Sequence, residues 1–217
     1  MSESTSAAPQ PSQSVPSRRR VASSLAWAVP TVVAAAAAPA EAASPPPRID
    51  RVFSVRLAST AVTGTSVRAC ATGSTRVTVT TDNVNTYYRI TNVQAGSTVT
   101  DVTASILVQK SVVDAMGSQN PLTWTNTTPS WSAPTREVSG TGSPVLYTNN
   151  GTQYYRYVSK LSPPVPAPVS GTITLPSIGW YSNCGTNLNG VMVNGRGSAV
   201  VNGMTLDNVG TYVRLQG

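Results

Sequence analysis

The chain has 217 residues, a formal net charge of +7, only 11% charged side chains and no histidine. A length of this order accommodates a leader and one domain with a real core, and the missing imidazole excludes Ser-His-Asp and Cys-His nucleophilic machinery together with most zinc sites. The basic residues are scattered rather than clustered, which argues against a nucleic-acid groove and is compatible with weak attraction to anionic wall polymers or membrane surfaces.

Residues 1–16 are polar and rich in Ser, Pro and Gln, without apolar periodicity. They lead into "SRRRVASSLAWAVP" at residues 17–30, where three arginines abut a small, apolar run that continues to Ala38. A lasting transmembrane helix needs about 20 strongly apolar residues; this run is mostly alanine and is interrupted by Ser23, Ser24, Pro30 and Thr31. It ends in "PAEAAS", where Ala40 and Ala42 form the small-x-small pattern of signal-peptide cleavage. Charged segment, modest apolar segment and cleavage site in that order predict a cleavable export signal over residues 1–43 and no permanent membrane anchor. "SRRRVA", with the pair Arg18 and Arg19, resembles a twin-arginine signal. Val21 and Ala22 are weak at its apolar positions and the frequent lysine is absent, so the general secretory route stays open.

Residues 44–48 read as a proline-rich linker and 49–217 as a single domain; the net charge of the processed chain from residue 44 is +6 once three arginines and two glutamates leave with the leader. Cys70 and Cys184 are the two cysteines of the chain and both lie in this domain. Export to an oxidising compartment predicts that they are bonded, with two buried thiols as the alternative.

Along the domain the apolar period is two. "RVFSVRLA" aligns Phe53, Val55 and Leu57, and "TRVTVTT" aligns Val77 and Val79. Val102, Ala104, Ile106 and Val108 form the longest apolar face, with Thr103, Ser105 and Gln109 directed outward. "SVVDAMG" is the one helix candidate, a single turn with Ser111 and Asp114 as a capping box and Gly117 as its stop. In "QYYRYVSK", alternation sets Tyr155 and Tyr157 on one face and Tyr154, Arg156 and Val158 on the other, so one tyrosine set should face water or a loop. Four Asn-Gly pairs, at Asn150, Asn189, Asn194 and Asn202, predict tight hairpin turns. The last three fall close together and suggest short strands in a meander, closing with Thr211, Val213 and Leu215 on one face. The fold expected is all-β, an antiparallel sandwich with almost no helix. "SPPVPAPVS" at residues 162–170 reads as a long proline-rich crossover inside it, because the piece beyond is too small to hold its own core.

"TYYRITNVQAGSTVTDVTASILV", residues 86–108, resembles the core of Ig-like repeats of bacterial surface proteins: a strand ending in Thr-Asn, a Gly-Ser turn, then a Val/Thr-alternating strand. The leader, with "WAVP" and "AAAAAPA", is similar to those of small exported actinobacterial proteins carrying one Ig-like domain. The resemblance implies an Ig-like β-sandwich architecture. Two departures keep it from implying functional residues. The cysteines are too far apart for an antibody-type bridge, and Tyr181 precedes Cys184 by three positions where a tyrosine corner has two.

Chemistry is bounded by subtraction. Of the acidic residues only Asp50, Asp82, Asp101, Asp114, Glu137 and Asp207 lie in the domain, and none has calcium-loop spacing. A glycosidase pair could arise only from residues distant in sequence, which makes a secreted hydrolase the remote reading. Lys110-Ser111 and Ser159-Lys160 cannot form a Ser/Lys dyad on a strand, where neighbours point to opposite faces. "LPSIG" at 175–179 is close to a sorting signal but carries Ile178 where threonine is required, and further strand patterns follow it. The remaining candidates are aromatic: Trp124, Trp131, Trp180 and Tyr181 could stack on sugar rings or fill the core. The reading is a secreted, non-catalytic protein without metal or cofactor, a binding or structural component whose partner is a wall polymer, a polysaccharide or another surface protein and not nucleic acid. The alternative is a carbohydrate- or wall-binding module.

Overall fold

Threonine and valine crowd the domain because branched side chains fit a pleated, half-buried surface, and the computed structural model, which describes residues 44–167 and 169–217, is built mainly of strands. The predicted leader with Arg18, Arg19, Ala40 and Ala42 lies outside the described residues. Every strand pairing is antiparallel, and the strands, numbered in chain order, fall into three sheets. The first has the order β1 (Arg48–Val52), β4 (Tyr87–Ser97), β10 (Val169–Thr174). The second runs β2 (Ser54–Ala58), β3 (Arg76–Thr80), β11 (Gly179–Ser182), β6 (Trp124–Asn126). The third and widest runs β13 (Met204–Asn208), β12 (Met192–Val201), β5 (Val99–Gln109), β9 (Thr152–Lys160), β7 (Thr135–Arg136); β8 (Leu146–Asn149) pairs with β9 and β14 (Val213–Arg214) with β12. The helix α1 (Lys110–Ala115) follows β5 directly.

Residues Ser44–Gly217 make one compact unit. Inward faces of all three sheets meet in one apolar cluster, which includes Val77, Val79, Ile90, Ile106, Val193 and Trp180. Tyr88 links the layers: its ring is fully buried and its hydroxyl lies 2.8 Å from the carbonyl of Thr103 and 2.9 Å from that of Ser198, a cross-strand pair of the widest sheet.

Several expectations need correction. The segment read as a linker already contains the first residue of β1, Arg48. "RVFSVRLA" is two strands, not one: the chain breaks at Phe53, whose ring packs edge-on to Tyr88 at 5.8 Å, and passes from β4 as neighbour to β3. Asn194-Gly195 is no turn but the middle of β12, so the C-terminal part is one long strand with partners rather than a meander. Gly195 and Gly197 face inward there because a Cβ would stand 2.9 Å from the Phe53 ring and 2.8 Å from Tyr88. Asn150-Gly151 and Asn202-Gly203, in contrast, have both residues at positive φ and join β8 to β9 and β12 to β13 as tight hairpins.

The widest sheet is also covered in part on its outer side. Leu107, Ser105 and Tyr154 are buried there, with Tyr212 packed 4.6 Å from Tyr154 and Arg156 Nε donating to Ser105 Oγ at 3.0 Å. Both tyrosine sets of β9 are therefore interior, and Ser105 does not face water. At the C-terminus Leu215 is buried while Thr211 and Val213 are exposed. The helix does stop at Gly117, but its N-cap is Gln109 without a side-chain cap bond, and Asp114 turns to Lys110 and Tyr155 instead. The "LPSIG" segment is structural: Leu175 and Ile178 are buried and the Pro176 carbonyl accepts from Trp131 Nε1 at 3.1 Å.

Candidate functional site

A concavity of about 720 Å³ opens where α1, the loop that follows it, β6 and β7 converge. It is placed by register. In the β7–β9 ladder Arg136 stands opposite Tyr157, so its side chain leaves the sheet on the same face as Tyr155 and Tyr157. Tyr157 packs 5.8 Å from Trp124 of β6, and with Val113 of α1 and Leu122 these rings make an apolar floor. Thr123, Thr135 and Ser118 bring hydroxyls to the walls.

The rim is charged. Arg136 is exposed, and its guanidinium carbon lies 5.0 Å from the Tyr155 ring centroid, a cation–π contact. Asp114 is bound on both oxygens, to Lys110 Nζ at 2.5 Å and to the Tyr155 hydroxyl, which donates at 3.0 Å. The Lys110 hydrogen bond holds the Asp114 carboxyl below its ordinary pKa, with smaller help from Tyr155 and Arg136. Burial pushes the Tyr157 phenol up to about 12, and the field of Arg136 opposes that rise. At neutral pH the cleft thus presents neutral rings, one engaged carboxylate and one exposed guanidinium.

The structure does not gather the four aromatic candidates on one face. Trp124 is 8% exposed and lines the cleft. Trp131 is buried, stacked 6.0 Å from Tyr88 and edge-on to Trp180 at 6.5 Å; Trp180 is fully enclosed. Neither ring can stack on a ligand from these positions. Tyr181 is half-buried beside Arg56 and Arg76 in a separate small concavity of about 290 Å³. Sequence reasoning missed Arg136, because a two-residue strand after a proline has no periodicity to display; the shared face of Tyr155 and Tyr157 was the one signal available.

Cys70 and Cys184 are bonded, with S–S 2.06 Å and Cα–Cα 5.7 Å across a separation of 114 residues. Arg76 Nη2 lies 3.3 Å from both sulfurs. Among the described residues no three His, Cys, Asp or Glu side chains cluster as a metal site would require, and no helix is long and apolar enough to cross a membrane. Comparisons with protein-family models, curated proteins and solved structures returned no match.

Proposed function

We propose that this chain is an exported, Ig-like β-sandwich protein that serves outside the cell as a non-catalytic binding or structural component. The observation that carries the reading is the Cys70–Cys184 bond, a cross-link that persists where thiols are oxidised and is rare in reducing compartments. Carboxylate usage supports it: Asp82 caps its own loop, Asp114 holds Lys110 and Tyr155, and Glu137 accepts from Tyr147 at 2.7 Å. These acids act on local structure. A carbohydrate-binding role is the second reading, favoured by the aromatic floor under Trp124 and Tyr157.

Fractionation of the producing cells with N-terminal sequencing tests the first part. The mature form is expected outside the membrane, beginning near Ala43 or Ser44, and a membrane-held form retaining Met1 overturns it. If the twin-arginine route is used, Arg18→Lys with Arg19→Lys blocks export; unchanged secretion assigns the general route. Turnover of any glycan or peptide by the pure protein overturns the non-catalytic reading.

A further inference from the structure

The rim of the cleft carries a guanidinium, that of Arg136, which no carboxylate among the described residues meets at ion-pair distance, since the ion pairs there are Lys110 with Asp114 and Arg156 with Glu137. The ring of Tyr155 fixes its position from one side, leaving the planar fork of donors free to take a carboxylate bidentately. Next to it lies the Trp124 and Tyr157 floor, and around that floor stand the hydroxyls of Thr123 and Thr135 with the pre-oriented carboxylate of Asp114. The volume of about 720 Å³ is within the range of small-ligand sites.

These groups ask for three things in one molecule: an apolar face, several hydroxyls and a carboxylate. A peptide terminus supplies the last without the hydroxyls, and a neutral sugar the first two without the charge. We propose that the cleft binds the acidic sugar units of a polyanionic glycan, with the uronate carboxylate on Arg136, the C–H face of the pyranose over the apolar floor of Val113, Leu122, Trp124 and Tyr157, and ring hydroxyls on Asp114. This rests on the extracellular binding role above and names its ligand class.

The test is calorimetric titration of the mature protein with galacturonate oligomers and with neutral galactose oligomers of equal length. The acidic oligomers should bind and the neutral ones should not. Arg136→Gln should weaken binding by about tenfold or more, the loss of a charge-assisted pair, whereas Arg214→Gln, which removes the same charge from exposed β14 outside the cleft, should leave it unchanged. Because Arg136 is exposed, its variant should melt with the parent. No binding of the acidic oligomers, equal binding of the neutral ones, or equal loss in both arginine variants overturns the site. Cell fractionation fails or succeeds independently of these titrations, so the two readings fall separately.

Discussion

Gly197 shows how a single missing side chain positions the core. A Cβ there would stand 2.8 Å from the Tyr88 ring and hydroxyl, both enclosed and held by the Thr103 and Ser198 carbonyls, so neither partner can retreat cheaply. Gly197→Ala should therefore overpack the core and cost about 1–3 kcal/mol, read as a fall in urea midpoint at constant slope. Trp180 is the converse case. It is fully buried against Trp131, and Trp180→Ala should cost about 3–5 kcal/mol, so any loss of binding in that variant must track its melting curve. Asp82 supplies a pH signature: hydrogen bonds from the Thr86, Val84 and Asn85 backbone hold its pKa at about 2, below the ordinary 3.8. A folded-state pKa depressed in this way contributes stability above the ordinary value that is lost as pH falls through the folded one. The thermal midpoint should accordingly drop between about pH 4 and pH 2 by less in Asp82→Asn than in the parent; equal slopes would dismiss the role of this loop.

Among the elements, β12 and the β8–β9 hairpin share a dipeptide and differ in its use. At Asn150-Gly151 both residues have positive φ, 47° and 76°, and the register runs Asn149 to Thr152 across the turn. A side chain at Gly151 meets no neighbour but forces an L-residue into left-handed backbone, so Gly151→Ala should cost about 1–2 kcal/mol, measured by chemical denaturation. At Asn194-Gly195 the same letters lie inside a ten-residue strand, where glycine is required by the Phe53 ring rather than by a turn. Dipeptide statistics cannot separate the two cases, because close approach is a property of the facing layer. The helix was legible for a similar reason in reverse: its stop at Gly117 is local and was readable, whereas its polar contacts were not, since Tyr155, the partner of Asp114, comes from β9, 41 residues away.

For the whole molecule, the Cys70–Cys184 bond ties the segment before β3 to the loop just after β11 across 114 residues. In the chain-entropy account a cross-link closing about 100 residues restricts the unfolded ensemble by about 4.7 kcal/mol. The double variant Cys70→Ser, Cys184→Ser should lose about 2–5 kcal/mol, with its far-UV spectrum unchanged at low temperature because the apolar cluster shared by the three sheets remains. A variant as stable as the parent would show that the cross-link contributes nothing.

What the sequence determined by itself was whatever has a period or a local conformational rule. The all-β antiparallel class followed from alternation, with Val77, Val79, Ala104, Ile106 and Val108 all buried as that alternation requires. The hairpins at Asn150 and Asn202 followed from the tolerance of Asn-Gly for positive φ. The pairing of the two cysteines was likewise anticipated from composition and export. Tertiary structure alone decided which face of a strand stays wet, for a period of two separates two faces without saying whether a second layer covers both. That is why Ser105, read as outward, is buried beside Arg156, and why Tyr154, on the face opposite Tyr155 and Tyr157, is buried beneath the loop residue Tyr212 rather than facing water. It also decided that Trp131 and Trp180 belong to the core while Trp124 reaches the cleft with Arg136, because burial and convergence arise from residues distant in sequence brought together by packing.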